Sequence, residues 1–431
     1  MTRHRSRVTL AASIALFGLL ATTPALAGDT YKVLHRFNGK NGEQPAAGLT
    51  FDTSGNLYGT TFYGGTACTG QGCGTAFQLV PNGKGGWTEH VLHNFCSESN
   101  CADGWYPEAA LVFDAAGNLY GTTRLGGPNG NADGGGTVFQ LVPDPDGAWT
   151  ENVLYGFCAG CAEGDQPIGP VVFDVSGNLY GTTTQGGAYA SGVVFELVHG
   201  THGTWTEKVL YSFCAVSECA DGEYPFGSLI FDPSGNLYGE TYYGGNLKCE
   251  VGCGTIFELI QGKGGAWSER VIHSFNFHDG AGPNGLVFDG HGNLYGAAAL
   301  GGLGGSWGHG GYGVVFRLSP GKDGTWTETV IRYFHVRLHG PGGPLVFDRA
   351  GNLYGTTYEG GGAYGYGIVF KLSPSQSGTW TLKVLHWFNG KAGENPVGGV
   401  ILDAAGNLYG TTVVGGVGSK GGDGIVFEIT P

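Results

Sequence analysis

The stretch "DTSGNLYGTTFYGG", Asp52 to Gly65, returns as "DAAGNLYGTTRLGG" from Asp114 and "DVSGNLYGTTTQGG" from Asp174. Further copies start at Asp232, Asp289, Asp348 and Asp403. The asparagines of the GNLY core are Asn56, Asn118, Asn178, Asn236, Asn293, Asn352 and Asn407, with successive gaps of 62, 60, 58, 57, 59 and 55 residues. A period this even means one supersecondary unit per repeat, each stacked on its neighbours.

Working outward from the motif, each unit reads as four short strands. The first is the run before the Asp, as in "GLVFD" at Gly285–Asp289. D-x-x-G-N then forms a tight turn, with Asp to accept turn N–H groups and Gly to supply positive φ. "NLYGTT" is the second strand, a "GVVFEL"-like run (Gly192–Leu197) the third, and a "WTEKVLYSF"-like run (Trp205–Phe213) the fourth. Val, Phe, Tyr, Leu and Thr dominate, and no helix-period pattern of useful length occurs. Four-stranded units repeated seven times predict an all-β, seven-bladed β-propeller of antiparallel blades. The last unit ends on its third strand, "GIVFEITP", while "TYKVLHRF" at Thr30–Phe37 matches the fourth strand elsewhere. The N-terminal strand is therefore expected to complete the last blade, leaving no open edge.

The pattern P-x-x-G-L-x-F-D-x-x-G-N-L-Y-G-T-T-x-x-G-G, followed by G-x-V-F-x-L, resembles the GloVer-type tandem repeat of exported bacterial proteins, from about Thr30 to Pro431. More distantly it is similar to NHL-type and virginiamycin-lyase-like propeller repeats. The resemblance implies export and a propeller, and it implies no activity. Family members often carry an anchoring tail. This sequence stops at Pro431 directly after the last strand, so no covalent surface anchor is expected.

Composition agrees. Gly (86) and Pro (18) make about a quarter of the 431 residues, but 13% aromatic and 13% charged residues allow a large buried core. The glycines must then serve turns and close backbone approaches. Residues 1–27 combine a basic "TRHRSR", an apolar "VTLAASIALFGLLA" and a small-x-small Ala25-Leu26-Ala27. That is the pattern of a secretory signal cleaved after Ala27, leaving 28–431 as one propeller domain. No other stretch approaches the ~20 apolar residues of a membrane span. Removing three Arg and no acid takes the formal charge from −14 to −17, a balance that repels nucleic acid and anionic lipid. The expected partners are a protein or a glycan, with no nucleic acid and no membrane insertion after cleavage, and the chain is expected to be a monomer.

Ten cysteines fall into five close pairs: Cys68 with Cys73, Cys96 with Cys101, Cys158 with Cys161, Cys214 with Cys219, and Cys249 with Cys253. In an exported chain these predict local disulfides; the competing reading, zinc, needs two pairs brought together.

The repeated residues are architecture: a catalytic acid is not needed seven times. Trp87, Trp149, Trp205, Trp267, Trp326 and Trp380 are expected to pack blade on blade, and the slot holding His35, His93, Tyr155, Tyr211, His273, Arg332 and His386 to serve packing or hydrogen bonding. In a propeller with this strand order, the D-x-x-G-N turns and third-to-fourth loops share one face. The second-to-third and blade-to-blade loops share the other, and these carry all ten cysteines and the least regular segments. Binding is expected there.

Three groups on that face are candidates. An acidic rim in Gly-x-x-Pro-like loops (Glu43, Asp103, Glu163, Asp165, Asp221, Glu223, Asp279, Glu394) could hold Ca²⁺ or another divalent cation, with Asp103, Asp221 and Asp279 the leading ligands; no cofactor is otherwise expected. His278, Asp279, His309, His335 and His339 could form a metal or general-base cluster. Trp105, Trp307 and Trp387, with Tyr63, Tyr106, Tyr224, Tyr242, Tyr243, Tyr312, Tyr364 and Tyr366 nearby, could stack on sugars or grip a partner; Arg124 joins them. Glu240 breaks the Gly-Thr-Thr rule in one repeat and is a further candidate. No nucleophile-elbow, P-loop or dinucleotide fingerprint occurs in context. The leading expectation is an exported scaffold that binds a protein, a glycan or a small ligand through the cysteine-bearing face. The alternative is a metal-dependent propeller enzyme of the lyase or lactonase kind, using His278, Asp279, His309 and His339.

Overall fold

Asp52 builds its hairpin by accepting four hydrogen bonds: Oδ1 from the N–H groups of Ser54 and Asn56 (both 2.8 Å), Oδ2 from Asn56 Nδ2 (2.7 Å) and the Tyr58 hydroxyl (3.1 Å). The same constellation recurs at Asp114, Asp174, Asp232, Asp348 and Asp403, and Asp289 gathers the same turn and asparagine donors. Burial alone would raise the Asp114 carboxyl, but these bonds outweigh it and hold the group below the ordinary aspartate range. The opening motif is therefore a turn and the start of a strand.

The structure is a computed structural model that describes residues 29–131, 134–303, 311–336, 338–360, 365–416 and 422–431. The expected signal segment 1–27 lies outside them. Seven antiparallel sheets follow one another, here numbered blades 1 to 7 after their GNLY motifs. Blade 3 is typical: Val172–Phe173 innermost, then Leu179–Thr183, Val193–His199 and, outermost, Trp205–Ser212. Blade 4 adds a short Glu223–Pro225 strand on its inner side. No α-helix occurs among the described residues, only three single turns of 3₁₀ helix. The propeller expected from the sequence is the fold observed.

Closure is also as expected. Thr30–Arg36 pairs antiparallel with Ile425–Thr430, Thr30 opposite Thr430 and Arg36 opposite Ile425, and so supplies the outer strand of blade 7.

Phenylalanines hold blade to blade. Phe95, at the end of the outer strand of blade 1, meets Phe139 in the third strand of blade 2 at 5.0 Å between centroids. Phe157–Phe195, Phe213–Phe257, Phe275–Phe316, Phe334–Phe370 and Phe388–Phe427 repeat the pair, and Phe37–Phe77 closes the circle from blade 7 to blade 1. All seven third-strand rings are fully buried. They explain the glycine of GNLYG: a Cβ at Gly59 would stand 2.8 Å from Phe77 Cζ, so only Gly lets the ring lie on the second strand. The tryptophans do pack across blades, as Trp149 on Tyr58 (6.1 Å) and Trp267 on Tyr180 (6.3 Å).

Candidate functional site

The blade-to-blade loops reach the central channel through a proline-bearing segment, Gly-x-x-Pro in six of the seven cases, and the residue before each proline is left-handed. Gln44, Tyr106, Gln166, Tyr224 and Asn395 all have φ between 56° and 60°. Side chains rarely adopt this conformation unless the surroundings impose it. The surroundings here are backbone bonds: Tyr106 N–H donates to Cys73 O (2.9 Å), and Arg124 N–H donates to Tyr106 O (3.0 Å). Each proline then lies on a glycine of the preceding blade; Pro107 Cδ would stand 2.6 Å from a Cβ at Gly74. The pattern read as a rim is thus a seven-fold lock between blades.

The local bridging expected of the cysteines is the bonding observed. Cys68 bonds to Cys73, Cys96 to Cys101, Cys158 to Cys161, Cys214 to Cys219, and Cys249 to Cys253, and no described cysteine is free. Each bridge closes a loop of only a few residues and so removes little chain entropy. What it fixes is local backbone. Cys101 and Cys219 are both left-handed, at φ 52° and 49°, and Cys101 O collects the N–H groups of Gly104 and Gly127, both at 2.9 Å. Cys219 O does the same for Gly222 (2.9 Å) and Gly245 (2.8 Å). Cys253 is fully buried, and its carbonyl accepts from Gly282 N of the next blade at 3.0 Å. The Cys68, Cys73 and Cys96 sulfurs do converge, as do those of Cys158 and Cys161 with Glu163. These are the tight groups of metal-ligating side chains among the described residues, and their thiols are taken by disulfides.

The rim carboxylates are spread over six of the seven blade interfaces, and Asp103, Asp221 and Asp279 are engaged by their own loops. Asp103, 1% exposed, accepts from Ser97 N (2.9 Å), Ser97 Oγ (2.9 Å) and Glu98 N (3.2 Å) and pairs with His93 Nε2 (3.1 Å). Burial pushes its carboxyl up, but these bonds outweigh it and hold the group below the usual aspartate range. Asp221 accepts from the Tyr211 hydroxyl (2.8 Å), Ala215 N (2.9 Å) and Val216 N (3.2 Å). Asp279 accepts from Asn276 N (2.9 Å) and Nδ2 (2.7 Å), with His273 at 3.5 Å. Each carboxylate organises the turn that carries it. In that slot His93 and Tyr211 supply hydrogen bonds to Asp103 and Asp221, as its varied chemistry implied, while His273 lies near Asp279 without a hydrogen bond.

His278 is exposed beside Asp279, and His335 is exposed in the next blade-to-blade loop. His309, Trp307 and Tyr364 lie outside the described residues. The backbone of His339 pairs with Glu359 in the inner strand of blade 6, and its side chain lies outside the description.

Part of the aromatic group is brought together. Trp105 stacks on Tyr106 (4.8 Å, 11° between planes), Tyr106 stacks on Phe62 (4.5 Å), and Tyr63 meets Tyr106 edge-on (5.2 Å). Beside them Arg124 Nη1 pairs with Glu108 Oε1 and Arg124 Nε donates to Gln166 Oε1, both at 3.2 Å. Two blades away, Tyr243 meets Tyr242 edge-on at 4.9 Å, with Tyr224 at 5.8 Å. Trp387 stands apart, 47% exposed at the end of the blade 6 outer strand.

Two features were not among the sequence candidates. The first is the glutamate of the Trp-Thr-Glu run. Glu89, Glu151, Glu207, Glu269 and Glu328 each keep an unpartnered, buried Oε1 at a blade interface. Burial, helped by the charges of Asp103 and Glu98, pushes Glu151 up to about 8; burial with Asp221 takes Glu269 to about 8, and burial with Glu163 takes Glu207 to about 7. Strand alternation carried the signal, since each Glu lies two residues after the packed Trp and faces the same way.

The second is an apolar arc. Of the eleven exposed large apolar side chains among the described residues, nine lie on the cysteine-bearing face: Tyr189, Val216, Leu247, Val251, Leu303, Tyr333, Val336, Tyr358 and Trp387. They run from blade 3 to blade 6; Val175 and Val198 alone lie on the opposite face.

The central channel is walled by the residues between each lock proline and inner strand, mostly Gly, Ala and Pro with Ile168, Phe226 and Val397. Glu240 stands in the second strand of blade 4, against this wall. In blades 1, 2 and 7 the residue in its place is a Thr that donates to the channel segment of the next blade: Thr60 to Ala109 O (3.0 Å), Thr122 to Gly169 O (3.1 Å) and Thr411 to Ala47 O (3.1 Å); blade 5 has Ala297 there. Glu240 instead accepts from Gly285 N (2.8 Å).

The Gloeobacter/Verrucomicrobia repeat family matches the chain over residues 21–249, 132–340 and 248–431. Among curated proteins there is no match. Solved structures are similar to it as well, two among them as follows. One is the extracellular domain of the two-component-system protein BT3049 of B. thetaiotaomicron, 13% identical, TM-score 0.50, covering 94% of this chain and 41% of that one. The other is PorZ, a surface component of the type-IX secretion system of Porphyromonas gingivalis, 14% identical, TM-score 0.42, covering 84% of this chain and 54% of that one. This chain thus spans about half or less of the length of both. At these identities the likeness concerns the fold alone.

Proposed function

We propose that this chain, which belongs to the Gloeobacter/Verrucomicrobia repeat family, is an exported scaffold that binds a protein partner through the cysteine-bearing face of its propeller. The observation that carries this reading is the segregation of exposed large apolar side chains among the described residues, nine of eleven on one face and running over blades 3–6. Such surface is costly in water and marks interaction sites when it gathers on one side. Five of the nine are aliphatic, which favours a protein over a sugar, since sugars stack on aromatic rings. The aromatic groups around Tyr106 and Tyr243 are largely occupied with one another and take second place. Export is supported by the five disulfides and by the basic, apolar and small-residue order of residues 1–27. No helix among the described residues is long and apolar enough to cross a membrane.

The enzymatic alternative gains nothing from the rim, where Asp103 and Asp221 already hold turn N–H groups. The test is affinity capture from an envelope extract, run beside a glycan array, with the native chain and with a Leu247→Ser/Val336→Ser/Trp387→Ser variant. Stability of the variant should stay within about 0.5 kcal/mol, while a specific protein partner is lost. A partner retained by the variant, or glycans bound and no protein, would sink the reading.

A further inference from the structure

Each GNLY tyrosine pairs across the sheet with one residue of the third strand, and in six blades that residue is satisfied at home. Gln78 and Gln140 donate to the hydroxyls of Tyr58 and Tyr120, both at 2.6 Å. Glu196, Glu258 and Glu428 accept from the hydroxyls of Tyr180, Tyr238 and Tyr409, and Lys371 lies over the Tyr354 ring. Blade 5 departs from this: Arg317 stands opposite Tyr295. It reaches the Tyr295 hydroxyl, but its Nε is buried without a partner. Glu196 and Glu258 are balanced by Lys208 and Arg270 of the neighbouring strand. Arg317 has Thr329 in that place, and it forms no ion pair among the described residues.

Two further departures gather beside it. The two variable positions of the D-x-x-G-N turns hold only Gly, Ala, Ser, Thr, Val or Pro, except for His291 in blade 5 and Arg349 in blade 6. Both line one notch between these blades, together with Arg317. Three basic side chains thus share a cleft in a chain of formal charge −14. Asp289 and Asp348 line it as well, but their oxygens are taken up by their own turns. Asp348 accepts from Ala350 N, Asn352 N, Asn352 Nδ2 and the Tyr354 hydroxyl. Asp289 accepts from His291 N, Asn293 N and Asn293 Nδ2, with His291 Nδ1 at 3.9 Å. Arg349 is exposed and, like Arg317, forms no ion pair among the described residues. The remaining wall is aromatic. Phe347 and Trp380 stand edge-on to Tyr295 at 5.0 and 6.0 Å, and both are only half-buried.

We propose that the notch between blades 5 and 6 binds a small organic carboxylate with an aromatic body, held by Arg317 and Arg349. A guanidinium fork matches the two oxygens of a carboxylate, and charge-assisted bonds of this kind are the strong ones. Arg317 is half-buried, so its attraction for an anion is less screened than at an open surface. His291 at the exposed rim adds a donor. The cavity holds about 480 Å³, a volume that suits a small molecule with an apolar body and few polar anchors. The ligand's ring lies against Phe347 and Trp380. Inorganic phosphate offers the charge but nothing for these rings. A nucleic acid would be repelled by the acidic surface around the notch.

The notch opens among the D-x-x-G-N turns, on the opposite face from the apolar arc. The probe is phenylacetate, titrated calorimetrically into the full chain, with phenylacetamide and inorganic phosphate as comparisons. Saturable one-to-one binding of phenylacetate is expected, with both comparisons at least about tenfold weaker. The repeat itself supplies variants that the fold accepts. Arg317→Gln installs the residue that blades 1 and 2 carry there, and Arg349→Ala the one that blades 2 and 7 carry. Each should weaken phenylacetate by about tenfold or more and leave the melting temperature close to native. Leu247→Ser/Val336→Ser/Trp387→Ser should leave phenylacetate binding unchanged, and Arg317→Gln should leave capture of the protein partner unchanged, so the two readings fail separately. The proposal is overturned by absence of phenylacetate binding to the native chain, by unaltered affinity in either arginine variant, or by phenylacetamide or phosphate binding as tightly as phenylacetate.

Discussion

The two faces of the ring are made from the same device used to different ends. On one, seven aspartates from Asp52 to Asp403 each gather the donors of a tight turn, and the loops barely differ. On the other, Asp103, Asp165 and Asp221 also gather backbone N–H groups, but the loops they organise carry three of the disulfides and share their face with nine exposed apolar side chains. Turn chemistry alone therefore does not distinguish a working face. What distinguishes it is what the organised loops are made to display.

That contrast breaks first, and most severely, if the shared core fails. Phe195→Ala empties a fully buried site between blades 2 and 3 and should cost about 3–5 kcal/mol in denaturant unfolding. A loss below about 1 kcal/mol would show that the phenylalanine ladder does not couple the blades. Next comes the turn device on the irregular face. Asp221→Ala leaves Ala215 N and Val216 N without their acceptor and should cost about 1–3 kcal/mol. EDTA should leave the melting temperature of the native chain unchanged; an EDTA-sensitive melt would instead make the rim a metal site.

The smallest effect is a slope. Glu151 and Glu269 at about 8, and Glu207 and Glu328 at about 7, lie above the ordinary glutamate value. Folding raises these values, so the folded chain binds more protons, and the stability involved is fully present below about pH 4.3. It is lost as pH rises through 7 to 8. The lowered Asp103, Asp114, Asp289 and Asp348 work the other way and lose stability as pH falls through their folded values. Stability should accordingly peak in mild acid and decline toward pH 8. Glu151→Gln should flatten the decline by up to about 1.4 kcal/mol per pH unit; an unchanged slope would show that Glu151 is not protonated in the fold.

The repeat made the architecture legible because one motif contains its own reason for being copied. Asp, Gly and Asn state the turn, and the closing strand at Thr30–Phe37 is recognisable by its likeness to the other outer strands. The cysteine pairing was legible too, because each partner lies within one short loop. The site was less legible for reasons of distance. The channel wall takes two or three residues from each of seven repeats, and Glu240 meets its partner 45 positions away. That Glu240 breaks a rule was visible; that it meets the Gly285 N–H emerges only once the two segments lie side by side. The Trp-Thr-Glu glutamates were legible through alternation, yet a charged residue in a strand is ordinarily read as solvated. Trp387 could be placed on the correct face, whereas its exposure depends on what the loops around it leave uncovered.

The strand that closes blade 7 also sets how the ring answers to force. Thr30 lies opposite Thr430 and Arg36 opposite Ile425, so the two ends of the seam leave from the same edge. A load applied between them peels the pairs one at a time instead of shearing them together. The same join that removes the last free edge is the line along which the ring would unzip under tension, and it lies in the sheet of blade 7, outside the stretch from blade 3 to blade 6 over which the apolar arc is displayed.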